Sequence, residues 1–178
     1  MVRHCACNAE ATIISADAPH NPDARFLLRS PAHVIALGGG AGLAPVAPGT
    51  VGTLVALPLY WVLAPLFPGW QLLALIALAF VIGIWACDST GRALGVSDHG
   101  SIVWDEIVAF LLVLCFTPGG RIWQACAFLL FRFFDILKPP PIRYFERKWK
   151  NGFGVMFDDA LAAGYTLLVL AAARNLVE

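Results

Sequence analysis

Charged side chains are scarce in this sequence, and neither sign of charge is in excess. Lys, Arg, Asp and Glu make up 13% of the 178 residues and the formal net charge is zero, whereas soluble domains average about 25% charged residues. The lack of a basic or acidic field gives no indication of a nucleic-acid or cationic partner. Hydrophobic residues make up 59% of the chain, against about 45–50% in soluble proteins. We therefore expect one domain with its apolar surface in a bilayer.

The sequence also lacks a disulfide framework and a signal peptide. Five cysteines is an odd number, and Cys87, Cys115 and Cys126 lie inside apolar runs, which is typical of small core residues. Acidic and basic side chains interrupt the first 30 residues, so no apolar segment of signal-peptide length occurs there. We interpret residues 1–30 as a flexible N-terminal extension and residues 31–178 as the folded domain.

Five apolar stretches predict an all-α architecture, a compact bundle of about five short membrane-embedded helices. They cover residues 51–67, 72–87, 107–116, 122–137 and 160–177. A straight helix needs about 20 apolar residues to cross the hydrocarbon, so most of these stretches are a little short. The third is long enough to cross only if its helix begins near Ser101. A soluble helical bundle with a very apolar core is the alternative.

The connections between these stretches are alternately short and long. Turns rich in proline and glycine join the first stretch to the second and the third to the fourth, whereas segments 88–106 and 138–159 are long and polar. If each stretch reverses the chain direction, the long polar segments all lie on one side. That side carries most of the basic residues, while the other carries Arg121 and Arg174. The positive-inside rule therefore places the polar motifs at the cytoplasmic face.

Acidic residues give the strongest chemical signal. Asp105 and Glu106 lie at the start of the third predicted helix, and Asp158 and Asp159 at the start of the fifth; Asp135 lies near the end of the fourth. Capping of helix N-termini is an alternative for each pair but does not explain Asp135. An unpaired charge at membrane depth costs about 2.5–3.5 kcal/mol. A divalent cation bound between the carboxylates would offset this cost. Ligation by oxygen alone indicates Mg²⁺ or Mn²⁺.

A second polar group follows helical spacing along the fourth predicted helix. Arg132, Asp135 and Lys138 fall within one arc of about 120°. In the functional interpretation, Arg132 and Lys138 bind phosphate oxygens while Asp135 orients Arg132 or joins the metal ligands. The alternative is an Arg132–Asp135 ion pair that stabilises the bundle, with Lys138 reaching towards water. Arg143 then opens a basic segment suited to anionic lipid.

Two loop segments add weaker candidates. His99 precedes the first acidic pair and could donate a proton to a leaving alkoxide, although a lone loop histidine is more often simply exposed. The glycine-rich run 38–52 includes Gly49 and Thr50 and offers backbone amides near a helix start, where Thr50 would be the N-cap. A closely packed entry segment is the alternative. No lysine follows the final glycine, so this is no nucleotide-binding loop.

The sequence motifs of three well-known phosphatase classes are missing or incomplete. Cys126 and Arg132 match the spacing of a cysteine-phosphatase loop, but the residues between them contain no glycine to turn amides onto a phosphate. The sequence motifs of aspartyl-nucleophile and histidine-based lipid phosphatases do not occur. A metal-activated water is the mechanism that remains.

Four blocks occur in order along the chain: GLAPVAPGTVG (42–52), DHGSIVWDE (98–106), RFFDILKPPPIR (132–143) and GFGVMFDD (152–159). Together they resemble the phosphatidylglycerophosphatase A family from about residue 30 to the C-terminus. The resemblance implies a Mg²⁺-dependent, multi-pass enzyme of the bacterial inner membrane. Such an enzyme hydrolyses phosphatidylglycerophosphate to phosphatidylglycerol and phosphate. Met156 and Phe157 depart from the small aliphatic residues of the family, which leaves acyl-chain preference open.

We expect the site to bind a lipid substrate, with membrane lipids around the protein. We expect no nucleic acid partner and no nucleotide cofactor. The expected Mg²⁺ ligands, also expected to be catalytic, are Asp105, Glu106, Asp158 and Asp159. Asp135 and His99 are further catalytic candidates, and the expected substrate-binding residues are Arg132, Lys138, Arg143, Gly49 and Thr50. The alternatives are a lipid phosphotransferase, whose expected motif spacing is missing, and a small ion or metal transporter, which would place acidic residues at mid-membrane.

Overall fold

The computed structural model describes residues 22–177, and those residues form an all-α fold, as predicted. The five apolar stretches correspond to α3, α4, α5, α6 and α8, and shorter helices accompany them. The elements are α1 (Ala24–Leu27), α2 (Pro31–Ala36), a 3₁₀ segment (Gly38–Leu43), α3 (Pro48–Leu66), α4 (Trp70–Leu94), α5 (Trp104–Phe116), α6 (Arg121–Leu137), α7 (Ile142–Lys148) and α8 (Gly152–Val177). Most of the predicted flexible extension lies outside the described residues.

Local sequence explains where the long helices begin and end. Pro48 occupies the first turn of α3, where its missing N–H costs nothing. Gly95 ends α4 with a φ of 74° and donates its N–H to the carbonyls of Gly91 and Arg92, a left-handed C-cap. Helix α4 thus continues through polar residues 88–94, which the apolar pattern had assigned to a loop. Likewise, α8 begins at Gly152, well before residue 160.

Three helices, α3, α4 and α8, are long and apolar enough to cross a membrane. This favours the membrane architecture over a soluble bundle. Helix α5 begins at Trp104 and not near Ser101, and it has 13 residues. At 1.5 Å per residue it is about 20 Å long, less than the hydrocarbon thickness of about 30 Å. The condition under which α5 would span the membrane is therefore not met.

Helix α5 lies at the centre of the bundle and contacts α3, α4, α6 and α8. Most of its side chains are buried; the ring of Phe110, for example, lies 5.4 Å from that of Phe131 and 6.0 Å from that of Phe128 on α6. In contrast, large apolar side chains on the outer faces of α3 and α4, such as Trp61 and Trp85, are exposed. The longer helices therefore surround the short one, which needs no bilayer-spanning length of its own.

Small residues let α4 and α8 approach closely. A side-chain carbon at Gly83 would overlap the side chains of Met156 and Trp104, and one at Gly152 would overlap the backbone of α4 at Ile84. Close helix contact through small residues is common in membrane bundles. As a result, α8 starts beside α4 at the end of the bundle where α5 also starts and α6 ends. We call this the site end.

Candidate metal centre

Three carboxylates from two helices meet at the site end. Asp105, Glu106 and Asp159 each place one oxygen within 4.8 Å of the other two. Asp105 and Glu106 lie in the first turn of α5, whereas Asp159 lies about two turns into α8. Helix capping therefore does not explain Asp159, contrary to the alternative considered for that pair. Only 7% of Asp105 and 4% of Asp159 is exposed.

The buried carboxylates lack enough partners within the protein. In each of Asp105, Glu106, Asp158 and Asp159, one oxygen is buried and has no hydrogen-bond partner among the described residues. Buried polar atoms are usually paired, and an uncompensated buried charge costs several kcal/mol. A divalent cation would supply the missing partner. The donor atoms are all oxygens, so this set fits Mg²⁺ or Mn²⁺ better than zinc.

Electrostatics at the start of α5 leads to the same conclusion. Burial, together with the negative charge of Glu106, raises the pKa of Asp105 well above its ordinary value. Burial and the charge of Asp159 likewise raise the pKa of Glu106. Without a cation, part of the cluster would hold protons to limit its own repulsion. A cation would therefore stabilise the fully ionised form.

Asp158 has a different neighbour from the other three predicted ligands. Its Oδ2 lies 3.7 Å from Nζ of Lys138, and it is not among the three carboxylates that meet. Nζ of Lys138 also lies 2.9 Å from Oε1 of Glu146 and 3.7 Å from Oδ2 of Asp98. Burial lowers the pKa of Lys138, but the hydrogen bond to Glu146 and the charge of Asp98 raise it more, so it stays above its ordinary value. Lys138 is therefore a fixed positive charge.

Arg132 contacts carboxylates. Its Nη1 lies 2.6 Å from Oδ2 of Asp135 and 3.3 Å from Oε1 of Glu106. The same nitrogen lies 3.5 Å from Oγ1 of Thr53 on α3. The Arg132–Asp135 ion pair considered in both interpretations of the sequence is thus present. These contacts orient Glu106 and Asp135, and they tie α6 to α5 and α3.

A cavity of about 240 Å³ brings the acidic residues and Lys138 together. Its walls come from the loop before α5 and from α5, α6 and α8. The carboxylates that line it are Asp98, Asp105, Glu106, Asp135, Asp158 and Asp159. Lys138 also lines the cavity. With a divalent cation bound among the carboxylates, the cavity would suit a phosphate monoester better than a neutral ligand.

The start of α3 lies directly against the metal cluster. Gly49 is buried, and a side-chain carbon there would overlap Oε1 of Glu106. The predicted N-cap role of Thr50 is wrong, because Ala47 occupies the cap position and no side chain caps α3. Instead, Thr53 donates its hydroxyl to the carbonyl of Gly49 at 2.9 Å. The structure thus shows close packing at Gly49, while its expected contact with the substrate stays a prediction.

Two predicted site residues, His99 and Arg143, are not among the residues that line the cavity. His99 is half-buried, and its Nδ1 accepts the backbone N–H of Ser101 at 3.2 Å. Arg143 is exposed and donates to the carbonyl of Leu137 at 3.2 Å. Neither side chain is among those that line the cavity. Their roles stay predictions that these contacts leave open.

The sequence interpretation missed three residues of this site. Thr53, Glu146 and Asp98 were not among the site residues expected from the sequence. Asp98 lies in the loop before α5 and pairs with Lys138. A usable signal existed for Glu146, which is the one acidic residue in the otherwise basic segment 143–150. No comparable signal distinguishes Thr53 from other threonines.

Comparison with known proteins identifies the family. The family model described as Phosphatidylglycerophosphatase A matches residues 34–174. Over 154 residues, the chain is 47% identical to Phosphatidylglycerophosphatase A of Haemophilus influenzae, covering 86% of this chain and 94% of the relative. It is 43% identical over 140 residues to the protein of that name from Escherichia coli (strain K12), covering 78% of this chain and 80% of the relative. No solved structure matches the chain significantly. With most of its length matched, this protein belongs to the phosphatidylglycerophosphatase A family.

Proposed function

We propose that this protein hydrolyses phosphatidylglycerophosphate to phosphatidylglycerol and inorganic phosphate with Mg²⁺ bound at the site end. Family membership supports the phosphatase class and the phospholipid substrate. The observation that carries the Mg²⁺ assignment is the meeting of Asp105, Glu106 and Asp159, each with an unpartnered buried oxygen. The same cavity contains Lys138, which matches the negative charge of the substrate's terminal phosphate.

The three meeting carboxylates would hold the cation. Asp135 and Asp158 line the same cavity and are the further ligand candidates. When bound, Mg²⁺ would polarise the phosphoryl group and lower the pKa of a water molecule. Arg132 keeps the carboxylates of Glu106 and Asp135 in place through its two ion pairs. It acts as a positioning residue in this scheme, and its expected contact with phosphate oxygens stays a prediction.

The remaining chemistry concerns the phosphate and its leaving group. Lys138 would bind the phosphate oxygens and neutralise charge that builds up as water attacks phosphorus. The bond from phosphorus to the glycerol oxygen breaks, and that oxygen takes a proton, for which His99 is the proposed donor. Arg143, Gly49 and Thr50 stay proposed contacts for the headgroup. The acyl chains would remain in the bilayer between helices.

The proposed setting is the inner membrane of a bacterium, with the site end facing the cytoplasm. The three long apolar helices and the bacterial relatives indicate a membrane protein. The orientation is supported by charge, because the segment between α6 and α8 is rich in Lys and Arg. We assign residues 31–178 to the membrane domain and keep residues 1–30 as a proposed flexible extension, within which residues 24–27 form the short helix α1.

The geometry also bears on the alternative functions. The acidic side chains lie near the starts of α5 and α8 and the end of α6. They gather at one end of the bundle, whereas a transport path needs ionisable groups at mid-membrane. A phosphotransferase would need an acceptor alcohol in place of water. Measuring free phosphate as the product separates hydrolysis from transfer.

The decisive experiment measures phosphate release from phosphatidylglycerophosphate in detergent micelles. We expect activity to require added Mg²⁺ and to vanish with a chelator. Asp159→Asn should reduce turnover by about 100-fold or more, because even residues that support metal ligands contribute 10–100-fold. The matched control is Asp23→Asn, which makes the same change at the exposed cap of α1. Normal hydrolysis by the Asp159 variant, or by the chelated enzyme, would refute the assignment.

A further inference from the structure

A surface of basic and aromatic residues lies on α7 and the first turn of α8, outside the proposed catalytic cavity. We define the basic–aromatic patch as Tyr144, Arg147, Lys148, Trp149, Lys150 and Phe153. Its three cations are exposed. None of them has an ion pair with a carboxylate in the part of the chain that the structure describes. Within residues 22–177, no carboxylate therefore lies within ion-pair distance of these three cations.

Contacts between aromatic rings fix the shape of the patch. The ring of Trp149 lies 4.9 Å from that of Phe145, 5.3 Å from that of Phe153 and 5.4 Å from that of Phe157. The Lys148 ammonium lies 5.7 Å from the ring centre of Tyr144. Tyr144 is 60% exposed and Phe153 is 37% exposed. Aromatic rings beside lysine and arginine are typical of the interface between membrane and water.

The position of the patch in the fold places it at that interface. It connects α6, which ends at Leu137, to α8, which is long and apolar enough to cross a membrane. Ile136 and Leu137, at the end of α6, are 72% and 48% exposed. Glu146 on α7 is paired with Lys138, which lines the catalytic cavity. The helix that carries most of the patch is therefore linked directly to the wall of the cavity.

We infer that the basic–aromatic patch binds anionic phospholipids at the membrane surface and so concentrates negatively charged lipid beside the cavity. Charge complementarity identifies the occupant, because each Lys or Arg near an anionic bilayer strengthens binding by about fivefold. The exposed rings and neighbouring apolar side chains favour a lipid over a soluble anion. The binding itself does not depend on the proposed hydrolysis. The patch shares no residue with the predicted substrate-binding set.

Lipid binding to the full chain in neutral detergent can be measured by native mass spectrometry. The probe is phosphatidylserine, an anionic lipid that is neither the substrate nor the product, with phosphatidylcholine for comparison. The test variant is Arg147→Gln/Lys148→Gln/Lys150→Gln. The control variant, Arg25→Gln/Arg29→Gln/Arg121→Gln, removes the same number of positive charges from exposed positions on α1, its C-terminal flank and α6. We expect the Kd for phosphatidylserine to rise at least about fivefold in the test variant and to stay unchanged in the control.

Three binding results would overturn the inference. They are equal Kd values for the two variants, equal affinity of the wild-type protein for phosphatidylcholine, and displacement of phosphatidylserine by glycerol 3-phosphate. The last result would mean a site for a soluble anion. If neither the wild-type protein nor the variants hydrolysed phosphatidylglycerophosphate, the proposed function would be wrong. The Kd values would still test lipid binding by the patch.

Kinetics in mixed micelles test the consequence for the substrate. We expect the test variant to raise the apparent KM for phosphatidylglycerophosphate severalfold with kcat unchanged, since the cavity is intact. Added salt should raise the KM of the wild-type protein and change that of the variant less. An unchanged KM in the test variant would overturn the claim that the patch concentrates substrate lipid.

Discussion

Individual carboxylates at the site end differ in what compensates their charge. Arg132 pairs with Glu106 and Asp135, and Lys138 lies near Asp158. In the described part of the chain, no Lys or Arg forms an ion pair with Asp105 or Asp159. Those two side chains would therefore gain most from a bound cation. Asp105 and Asp159 are the strongest candidates for metal ligands.

The close approach of Gly49 to Glu106 gives a residue-scale prediction. In Gly49→Ala, the added methyl group would overlap Oε1 of Glu106, so that carboxylate must move away from the cluster. We expect turnover to fall about tenfold or more, because a shift of about 1 Å at a reacting site can cost about 100-fold. Phosphate release and thermal unfolding would be measured on the same preparation.

Gly164→Ala is the matched control for that experiment. Gly164 also lies in a helix, but a side-chain carbon there would meet no atom within 4 Å among the described residues. Its activity and unfolding temperature should not fall. If the two alanine variants showed the same turnover, the packing of α3 would have no bearing on catalysis.

At the level of elements, the start of α8 sets where its acidic residues lie. Asn151 immediately precedes the helix, and its Oδ1 accepts the N–H of Gly154 at 3.0 Å, as an N-cap does. The N–H of Gly152 is donated to Oδ1 of Asp88 on α4 at 3.2 Å. Two side chains thus satisfy amides that the helix itself cannot. Together they anchor the turn that precedes Asp158 and Asp159.

Removing the cap should destabilise this element specifically. We expect Asn151→Ala to lower the free energy of unfolding by about 1 kcal/mol, the usual cost of losing an N-cap. Asn151→Asp keeps the acceptor and places a negative charge at the positive end of the helix, so it should be neutral or stabilising. Thermal or denaturant unfolding in detergent would measure both. Equal stability of the two variants would show that the bond does not contribute.

For the whole molecule, the buried acidic cluster links metal binding to stability. A ligand that binds only the folded state stabilises it by about 2.7 kcal/mol at 100 times its Kd. We therefore expect Mg²⁺ to raise the unfolding temperature of the wild-type protein and of Asp23→Asn. In Asp159→Asn, the increase should be largely lost. An equal increase in all three proteins would mean that the ion acts elsewhere or on the detergent.

Much of the fold was predictable because the side chains on the outer face of a helix must suit the solvent around it, and hydropathy measures this directly. The five apolar stretches fall on five helices. Helix ends were harder to predict. Residues 88–94 and 152–159 are polar or glycine-rich, so they resemble loops in sequence. They are helical because α4 and α8 pack through Gly83 and Gly152.

The sequence by itself determined an all-α membrane protein with acidic pairs near helix starts, because composition and periodicity depend only on neighbours along the chain. Only the tertiary structure decided which acidic residues meet. Asp159 joins Asp105 and Glu106, while its neighbour Asp158 lies beside Lys138. Adjacent residues point about 100° apart on a helix. The packing of α8 against α4 and α5 therefore determines which of the two faces the cluster.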